Sequence, residues 1–357
     1  MAGFTGKNDA SFKVTQISYM PGVSDYCKQV FKPPEIEYQM SLCTREDEIT
    51  AAAHDTDVLI VVPAHVPVSQ KVIEALPVCR YILGMISGYD GIDMETATEH
   101  GILVTNMPDL FWEEVADHAM ALILACSRKI VELNQVTKRG EWVKEGTESD
   151  LVREIDQKLT RLQGQTLGLV GFGNIARGVA ARAKGFGMKM IAYDPYAPTD
   201  VFNEFRVERI ELNRLVEESD FVSIHTSLSK ETHGMFGLEQ FKKMKPTAYI
   251  INTARGAIID RDSLYTALNQ KLISGAGLDV TEPEPSTPDN NPLLSLDNVV
   301  ITAHRGGKDR VAFANLARLV PEQVFRVMRG EWPHNIVNPE AKEKYIQKWG
   351  KSKEERC

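Results

Sequence analysis

Short runs of apolar residues alternate with amphipathic stretches along most of the chain. The runs lie at residues 14–19, 58–62, 80–86 and 102–105, and again at 166–170, 189–194, 221–225, 248–253, 275–280 and 299–303. Runs of this length, without polar alternation, are typical of strands buried on both faces of a parallel sheet. The pattern therefore predicts an α/β chain with two doubly wound sheets.

Helical periodicity occupies much of the remaining sequence. It predicts one long buried helix over residues 115–133, suited to crossing from one domain to the other, and a helix over 311–327 that packs back on the first domain. Residues 149–162 are amphipathic, with Leu151, Ile155, Leu159 and Leu162 on one face; a surface helix and an oligomer contact remain equal alternatives. Residues 348–357 mix both charges with one large apolar side chain, so we expect a solvated end.

The sequence Gly171-Phe172-Gly173-Asn174-Ile175-Ala176 lies between a predicted strand and a predicted helix. In this context the first glycine makes a tight turn, the second lets the backbone approach a pyrophosphate, and the small Ala176 lets the helix pack closely on the sheet. The unpaired N–H groups of the helix N-terminus then face the phosphates. The position of the glycines thus predicts a dinucleotide site, which a glycine pattern alone would not.

Asp194 ends the next predicted strand, about twenty residues beyond the glycines, where a carboxylate accepts hydrogen bonds from the adenosine ribose. Its negative charge would repel the 2′-phosphate of NADP, and Pro195 and Tyr196 follow it rather than an arginine. The pattern therefore favours NAD as the cofactor. The alternative is that Asp194 only begins a turn with Pro195.

Composition narrows the classes of function. The 357 residues carry a net charge of −8, which argues against a nucleic-acid partner. The five cysteines are odd in number and show no C-x-x-C spacing, so we expect a reducing, cytoplasmic setting and neither a disulfide framework nor a metal site. No apolar run reaches membrane-spanning length and the N-terminus lacks a signal-peptide pattern, so we expect no membrane partner.

Residues suited to a reaction follow three of the later strands, at the edge where open α/β sheets place their ligands. Arg255 offers a guanidinium that can clamp a carboxylate, and His304 offers an imidazole that can deliver a proton to a carbonyl oxygen. Glu282 and Glu284 are chemically equivalent partners for that imidazole. Each residue alone is more often an ordinary surface group, but together, beside a nucleotide turn, they predict hydride transfer to a carbonyl.

At these residues the chain resembles the D-isomer-specific 2-hydroxyacid dehydrogenases, from residue 58 to residue 339. Besides the glycine turn, the resemblance rests on the segments 87–93 (SGYDGID), 105–108 (TNMP), 115–119 (VADHA), 252–256 (NTARG), 278–280 (LDV) and 304–307 (HRGG). It implies two Rossmann/flavodoxin-like doubly wound domains with a cleft between them. Residues 1–118 and 309–357 would form the substrate-binding domain, and residues 119–308 the NAD-binding Rossmann domain.

The resemblance also implies roles for individual residues. Arg255 would bind the carboxylate and carbonyl of a small-molecule substrate, His304 would be the acid/base, and Glu284 would orient His304. Glu284 is preferred to Glu282 only on the family's spacing from Asp279. The backbone of the loop Ser87, Gly88 and Tyr89 would hydrogen-bond the substrate carboxylate.

The implied cofactor contacts extend along the second domain. Asp279 would hold the nicotinamide carboxamide, and the segment that passes the adenine and its ribose carries Ser227 where a proline is usual. The implied residues are Gly171, Phe172, Gly173, Asn174, Ile175, Asp194, Pro195, His225, Thr226, Thr232, Thr253, Ala254, Asp279 and Gly307.

The resemblance implies an NAD-dependent oxidoreductase that interconverts a 2-keto acid and the (R)-2-hydroxy acid, built as a homodimer through the nucleotide domains. A second class of function stays open. Some relatives of this fold are NADH-sensing corepressors, and they retain the set of Arg255, Glu284 and His304. The three residues therefore do not separate the two functions by themselves.

Overall fold

The structure is a computed structural model that describes residues 11–20, 22–64 and 66–350. These residues divide into two compact units, one running up to Phe111 and resuming at Lys308, and one formed by Trp112–Gly307. The first division lies after Phe111 rather than after residue 118, because a single helix runs without a break from Trp112 to Arg128 and packs on the sheet of the second unit. The second division lies after Gly307, beside the predicted one after residue 308.

The first unit is built on a parallel sheet with the strand order β2–β1–β3–β4–β5. Its elements are β1 (Phe12–Gln16), α1 (Val23–Val30), β2 (Ile36–Met40), α2 (Glu46–Ala53), β3 (Val58–Val61), α3 (Gln70–Glu74), β4 (Tyr81–Gly84), α4 (Met94–Glu99) and β5 (Leu103–Thr105), and after the second unit α13 (Arg310–Met328) and α14 (Ala341–Trp349). Along β3, Val58 and Ile60 join one apolar cluster and Leu59 and Val61 join another. The sheet is therefore buried on both faces, as the continuous apolar runs predict.

An edge strand, β2, is absent from the predicted set of strands. It pairs with β1 along its length, from Ile36 opposite Phe12 to Met40 opposite Gln16. Its sequence IEYQM alternates apolar and polar residues, and of the five only Ile36 is buried. An edge strand with one solvated face permits this alternation, so a search for continuous apolar runs overlooks it.

The end of the chain differs from the predicted solvated segment over residues 348–357. Helix α14 includes Lys348 and Trp349, and the guanidinium carbon of Arg80 lies 4.3 Å from the centre of the Trp349 ring. Arg80 is itself buried and pairs with Asp57 at 2.6 Å. The prediction is wrong for Trp349, which packs into the first unit, and residues 351–357 lie outside the described residues.

Helix α13 confirms the predicted helix over residues 311–327. It begins at Arg310, where the side chain of Asp309 accepts hydrogen bonds from the N–H groups of Val311 and Ala312. Its apolar face carries Leu316 and packs against α1 in the first unit. The chain therefore returns to its first unit, as expected.

The second unit is built on a longer parallel sheet with the strand order β10–β9–β8–β11–β12–β13–β14. Its elements are α5 (Trp112–Arg128), α6 (Ile130–Lys138), β6 (Val143–Lys144), β7 (Thr147–Glu148), α7 (Asp150–Asp156), β8 (Thr166–Val170), α8 (Asn174–Gly185), β9 (Lys189–Tyr193), α9 (Thr199–Phe205), β10 (Glu208–Arg209), α10 (Leu212–Glu218), β11 (Phe221–Ile224), α11 (Leu238–Lys243), β12 (Tyr249–Asn252), α12 (Arg261–Asn269), β13 (Gly275–Leu278) and β14 (Val299–Ile301). The chain order reverses between β8 and β11, so the carboxyl end of β8 lies at a switch point of the sheet, where such folds bind ligands.

The helices before β8 differ from the predicted ones. The expected single helix over residues 115–133 is two helices, because Lys129 adopts a left-handed conformation with φ 52° and ends the first one. The amphipathic segment is helical only over Asp150–Asp156, where Ile155 is buried and Leu151 is 38% exposed, so the predicted shared face is wrong. None of the described helices is long and apolar enough to cross a membrane.

Candidate functional site

The turn between β8 and α8 contains two glycines with different surroundings. Gly171 has φ 85°, and a Cβ atom there would lie 2.8 Å from the backbone nitrogen of Thr226, so only glycine fits. Around the corresponding Cβ position of Gly173 there is nothing within 4 Å. Gly173 immediately precedes α8, and no side chain caps that helix end. Its lack of a side chain therefore serves no packing within this unit and leaves open space at a helix N-terminus, as a bound phosphate requires.

The other residues of the glycine turn divide between core and surface. Phe172 is buried, and its ring stacks on Phe202 with the ring centres 4.7 Å apart. Ile175 is half-buried against the same core, and the side chain of Asn174 accepts a hydrogen bond from Arg177. Of the predicted cofactor residues in this turn, Phe172 therefore has a packing role that anchors the turn to the sheet.

Asp194 accepts three backbone hydrogen bonds at the end of β9. Its Oδ1 accepts from the N–H groups of Tyr196 and Ala197 at 2.8 and 3.0 Å, and its Oδ2 accepts from the N–H of Phe172 at 2.8 Å. The turn that the sequence left as an alternative is thus present. The same carboxylate also ties this turn to the glycine turn and places a negative charge beside it.

The end of β11 lies against the glycine turn on its other side. His225 is half-buried, its Nε2 lies 2.8 Å from Oγ of Ser223, and its buried Nδ1 has no hydrogen-bond partner among the described residues. Burial lowers the pKa of His225 to about 3, so the ring is neutral at physiological pH. The backbone of His225 and Thr226 provides the wall that Gly171 approaches.

The loop after β11 is closed by Thr232. Its hydroxyl donates to the carbonyl of Ser227 at 2.7 Å and accepts from the N–H of Ser229 at 2.8 Å. Within this loop, Glu231 accepts a hydrogen bond of 2.7 Å from the hydroxyl of Tyr196. The structure therefore brings the predicted residues after β8, β9 and β11 to one edge of the sheet.

Arg255 follows β12 in a turn that Asn252 holds. The side chain of Asn252 accepts from the N–H of Ala254 at 3.0 Å and donates to the carbonyl of Arg255 at 2.9 Å. A Cβ atom on Gly256 would lie 2.1 Å from the carbonyl group of Thr281, so this glycine lets the turn lie directly against the loop after β13. The strand order β12–β13–β14 thus places Arg255 beside the next two strand ends.

Thr253 lies in the same turn with an unsatisfied side chain. It is 8% exposed, and its hydroxyl has no hydrogen-bond partner among the described residues. A buried hydroxyl without a partner is uncommon, and a polar group of a ligand would satisfy it. Together with the open space at Gly173, it shows that the residues present fit a dinucleotide.

Glu284 and His304 are hydrogen-bonded to each other across the ends of β13 and β14. Oε1 of Glu284 lies 2.7 Å from Nδ1 of His304, and the structure therefore selects Glu284 rather than Glu282 as the partner. Because a carboxylate only accepts, Nδ1 carries the proton. Nε2 has no hydrogen-bond partner among the residues that the structure describes, so it is the nitrogen left for chemistry.

The backbone at His304 adopts a conformation that a side chain normally avoids. Its φ is 51°, in the left-handed region. Asp279 holds this turn: its carbonyl accepts from the N–H of His304 at 2.8 Å, and its carboxylate accepts from the N–H groups of Arg305 and Gly306 at 2.8 and 2.7 Å. Gly307 follows and ends the second unit.

Asp279 is 2% exposed and yet remains ionised. Burial alone raises the pKa of its carboxyl group. The close approach of His118 Nε2, 3.3 Å from Oδ1, and hydrogen bonds from Thr302 and from the two backbone N–H groups of the turn outweigh burial and hold the pKa of Asp279 well below its usual range. His118 was not among the predicted site residues, although the segment 115–119 was part of the resemblance. The sequence signal that could have identified it is a single histidine within the predicted buried helix over residues 115–133.

Ser87, Gly88 and Tyr89 follow β4 in the first unit. The hydroxyl of Ser87 donates to the carbonyl of Met107 at 3.0 Å, and the carbonyl of Ser87 accepts from the side-chain amide of Asn106 at 2.7 Å. These bonds tie the loop to the segment after β5. The structure therefore places the predicted carboxylate loop in the first unit, whereas the predicted catalytic residues lie in the second.

Known proteins share both the sequence and the fold. Residues 120–306 match the model of the D-isomer specific 2-hydroxyacid dehydrogenase, NAD binding domain. A glyoxylate reductase of Korarchaeum cryptofilum is 42% identical over 275 residues, which are 77% of this chain and 81% of the relative. The crystal structure of a glyoxylate reductase from Paecilomyes thermophila has a TM-score of 0.81 at 25% identity and covers 92% of this chain and 99% of its own.

A second solved structure has the same architecture. The holo form of D-mandelate dehydrogenase from Rhodotorula graminis has a TM-score of 0.81 at 26% identity and covers 92% of this chain and 97% of its own. Together with the strand order and the glycine turn, these similarities confirm the predicted two-domain α/β fold and NAD as the cofactor. The chain belongs to the family of D-isomer-specific 2-hydroxyacid dehydrogenases, and its second unit is the NAD-binding domain of that family.

Proposed function

We propose that the chain interconverts a 2-keto acid and the (R)-2-hydroxy acid, with His304 as acid/base, Glu284 orienting it and Arg255 binding the substrate's carboxylate and carbonyl. The observation that supports this most directly is the 2.7 Å hydrogen bond between Glu284 and His304 at the ligand-binding edge of the NAD-binding domain. It leaves Nε2 of His304 as the reactive nitrogen.

The proposed mechanism assigns one task to each side chain. When bound, NAD supplies the capacity to give or take a hydride at the substrate carbon. His304 delivers a proton from Nε2 to the carbonyl oxygen during reduction and removes it during oxidation. Glu284 orients the ring by accepting a hydrogen bond from Nδ1–H, which leaves Nε2 for the substrate. Arg255 pairs with the substrate carboxylate and polarises the carbonyl.

We assign the parts of the cofactor to successive strand ends along one edge of the sheet. In the second unit we assign the pyrophosphate to residues 171–175, the adenosine to Asp194, Pro195, His225, Thr226 and Thr232, and the nicotinamide end to Thr253, Ala254, Asp279 and Gly307. In the first unit we assign the substrate carboxylate to the backbone of Ser87, Gly88 and Tyr89. The open space at Gly173 and the unpartnered hydroxyl of Thr253 support the cofactor part of this assignment.

Glyoxylate is the first substrate that we propose, because the relative from Korarchaeum cryptofilum and the structure from Paecilomyes thermophila are both named glyoxylate reductase. The test is NADH consumption with glyoxylate, hydroxypyruvate, pyruvate, phenylpyruvate and branched 2-keto acids. We expect turnover of at least one acid. Tight NADH binding without turnover of any of them would instead favour an NADH-sensing protein of the same fold.

Two neighbouring glutamates offer a matched test of the pair. Glu284→Gln removes the negative charge beside His304, whereas Glu282→Gln removes an equivalent charge two residues away that is not bonded to His304. We expect the first change to lower kcat about 100-fold, within the range that acid/base catalysis contributes. The second should leave kcat within about twofold. Equal kcat values for the two variants would remove Glu284 from the mechanism.

We also propose a homodimer formed through the second unit. Large apolar side chains on its segment between α5 and β8 are exposed: Ile130 at 53%, Trp142 at 56% and Val143 at 54%. Apolar side chains clustered on one surface segment are typical of protein interfaces.

We also propose a cytoplasmic location. The proposal rests on the free thiols among the described residues, which are Cys27, Cys43, Cys79 and Cys126.

A further inference from the structure

The second unit contains another histidine near the turn that carries His304. The proposed mechanism gives this histidine no task. His118 lies on α5 and is half-buried. Its Nε2 lies 2.8 Å from Oγ1 of Thr302 and 3.3 Å from Oδ1 of Asp279. All three residues belong to the second unit. Their arrangement forms a short chain of polar groups between a core helix and the turn that carries His304.

The direction of the hydrogen bonds in this chain follows from the number of protons available. Oγ1 of Thr302 lies 2.5 Å from Oδ1 of Asp279, and because an ionised carboxylate only accepts, the hydroxyl proton of Thr302 is used in that bond. The same hydroxyl oxygen must then accept from His118. Nε2 of His118 therefore carries a proton, whether the ring is neutral or charged.

Asp279 connects this chain to the backbone that carries His304. Its Oδ1 also accepts from the N–H of Arg305, its Oδ2 accepts from the N–H of Gly306, and its carbonyl accepts from the N–H of His304. Since His304 has a φ of 51°, the turn depends on these three bonds to keep an unfavourable backbone conformation.

The side chain of His118 also lies close to this turn. The Cβ position of Gly306, which is empty in glycine, is 3.6 Å from both Cβ and Cδ2 of His118. The segment that immediately follows His304 therefore runs beside the His118 side chain.

We propose that His118 is a positioning residue for the reaction: its Nε2–H, through Thr302, fixes the Asp279 carboxylate and thereby the turn that aims His304. His118 does not touch the reacting atoms. The proposal rests on the proposed function, because it requires His304 to be the acid/base. A displacement of a catalytic group by about 1 Å can cost on the order of 100-fold in rate, so a loosened turn should be visible in kcat.

Two substitutions separate positioning from packing. His118→Phe keeps a ring of similar size and removes the donor, whereas His118→Gln keeps an N–H donor on a flexible side chain. We expect His118→Phe to lower kcat for glyoxylate reduction between about 10- and 100-fold while the KM for glyoxylate changes less than about threefold. His118→Gln should recover most of the loss. Unchanged kcat in folded His118→Phe would overturn the proposal, as would His118→Gln that is no better than His118→Phe.

A second measurement does not depend on turnover. In ¹⁵N-histidine-labelled protein, the hydrogen-bonded Nδ1 proton of His304 should give a downfield NMR signal, assigned by its loss in His304→Gln. We expect this signal to broaden or shift in His118→Phe and in Thr302→Val, and to stay unchanged in Glu282→Gln. An unshifted signal in both variants would contradict the proposal, and Thr302→Val alone provides the test if His118→Phe does not fold.

The two proposals fail in different ways. If His304→Gln retains turnover, the proposed role of His304 falls and the positioning role falls with it. If His304→Gln abolishes turnover while His118→Phe and Thr302→Val match the wild type, only the positioning role of His118 is overturned.

Discussion

The two glycines of the turn after β8 show how one residue type meets two different requirements. Gly171 is required by its positive φ and by the backbone of Thr226 at 2.8 Å from its Cβ position. Gly173 faces open space, so the fold itself does not require glycine there. The pattern of the sequence identifies both positions. It does not show which glycine serves the fold and which one is free to serve a ligand, because that depends on β11, about fifty residues further along the chain.

This difference leads to a prediction for alanine substitutions. Gly173→Ala should leave the free energy of unfolding within about 0.5 kcal/mol, since the methyl group meets no atom within 4 Å, yet lower the affinity for NADH at least about tenfold by occupying space for the phosphates. Denaturant unfolding and NADH fluorescence titration measure the two quantities. Gly185→Ala, also without close neighbours, is the control and should keep the wild-type affinity.

Gly171→Ala should behave in the opposite manner. A Cβ atom at positive φ and 2.8 Å from a backbone nitrogen should cost more than about 2 kcal/mol of unfolding free energy. If Gly173→Ala instead destabilised the fold while binding NADH normally, Gly173 would not belong to the cofactor site.

At the scale of single residues, the sequence predicts Arg255, His304 and a glutamate as candidate site residues, but their chemistry does not choose between Glu282 and Glu284. The choice depends on which carboxylate the loop after β13 turns toward His304. The structure bonds Glu284 to Nδ1 at 2.7 Å. The contact between His118 and the Asp279–Thr302 pair could not be predicted either. His118 lies about 160 residues earlier in the chain, and no sequence pattern links the two positions.

At the scale of secondary-structure elements, the sequence predicts the buried strands. It does not predict a residue with an unusual backbone conformation or a strand at the edge of the sheet. Strand β8 has the predicted bounds, since Thr166–Val170 is a continuous run buried almost throughout. The break between α5 and α6 depends on Lys129 alone, and lysine has no preference for the left-handed region that would reveal it. Strand β2 was missed because only one of its five residues is buried, so its sequence alternates instead of forming a continuous apolar run.

The sequence did not show that Trp349, at the end of α14, packs into the first unit, and a substitution there tests this contact. The Trp349 ring covers the buried guanidinium of Arg80, which pairs with Asp57. Trp349→Ala should lower the unfolding free energy by about 2 kcal/mol through lost packing and lost cation–π contact. Gln347→Ala, at an exposed position of the same helix, should change it by less than about 0.5 kcal/mol. Equal stability of the two variants would show that the Trp349 ring does not stabilise the first unit.

At the scale of the whole molecule, two separate stretches of the chain form the first unit, and the continuous stretch between them in sequence forms the second unit. The sequence indicated this organisation because the glycine turn begins near the middle of the chain and leaves a full series of strands before it. The boundaries were less predictable, since the sequence of α5 does not show on which sheet the helix packs.

The proposed homodimer gives a prediction at this scale. Trp142 is 56% exposed in the second unit, and Trp142→Glu places a charge where the proposed interface requires an apolar contact. We expect sedimentation velocity to show a dimer for the wild type and a monomer for this variant. Val311→Glu, at a 67% exposed apolar position of the first unit, should remain a dimer. A wild type that sediments as a monomer at micromolar concentration would contradict the proposed assembly.

In the proposed NAD-dependent reaction of a 2-keto acid, His304 moves the proton. The most direct test is the steady-state rate of NADH oxidation with glyoxylate for His304→Gln, together with the Kd for NADH of the same protein. We expect kcat to fall at least about 100-fold while the Kd stays within about threefold, because Nε2 of His304 delivers the proton and Asp279, not the imidazole, holds the turn. A variant that binds NADH normally and reduces glyoxylate at the wild-type rate would contradict it.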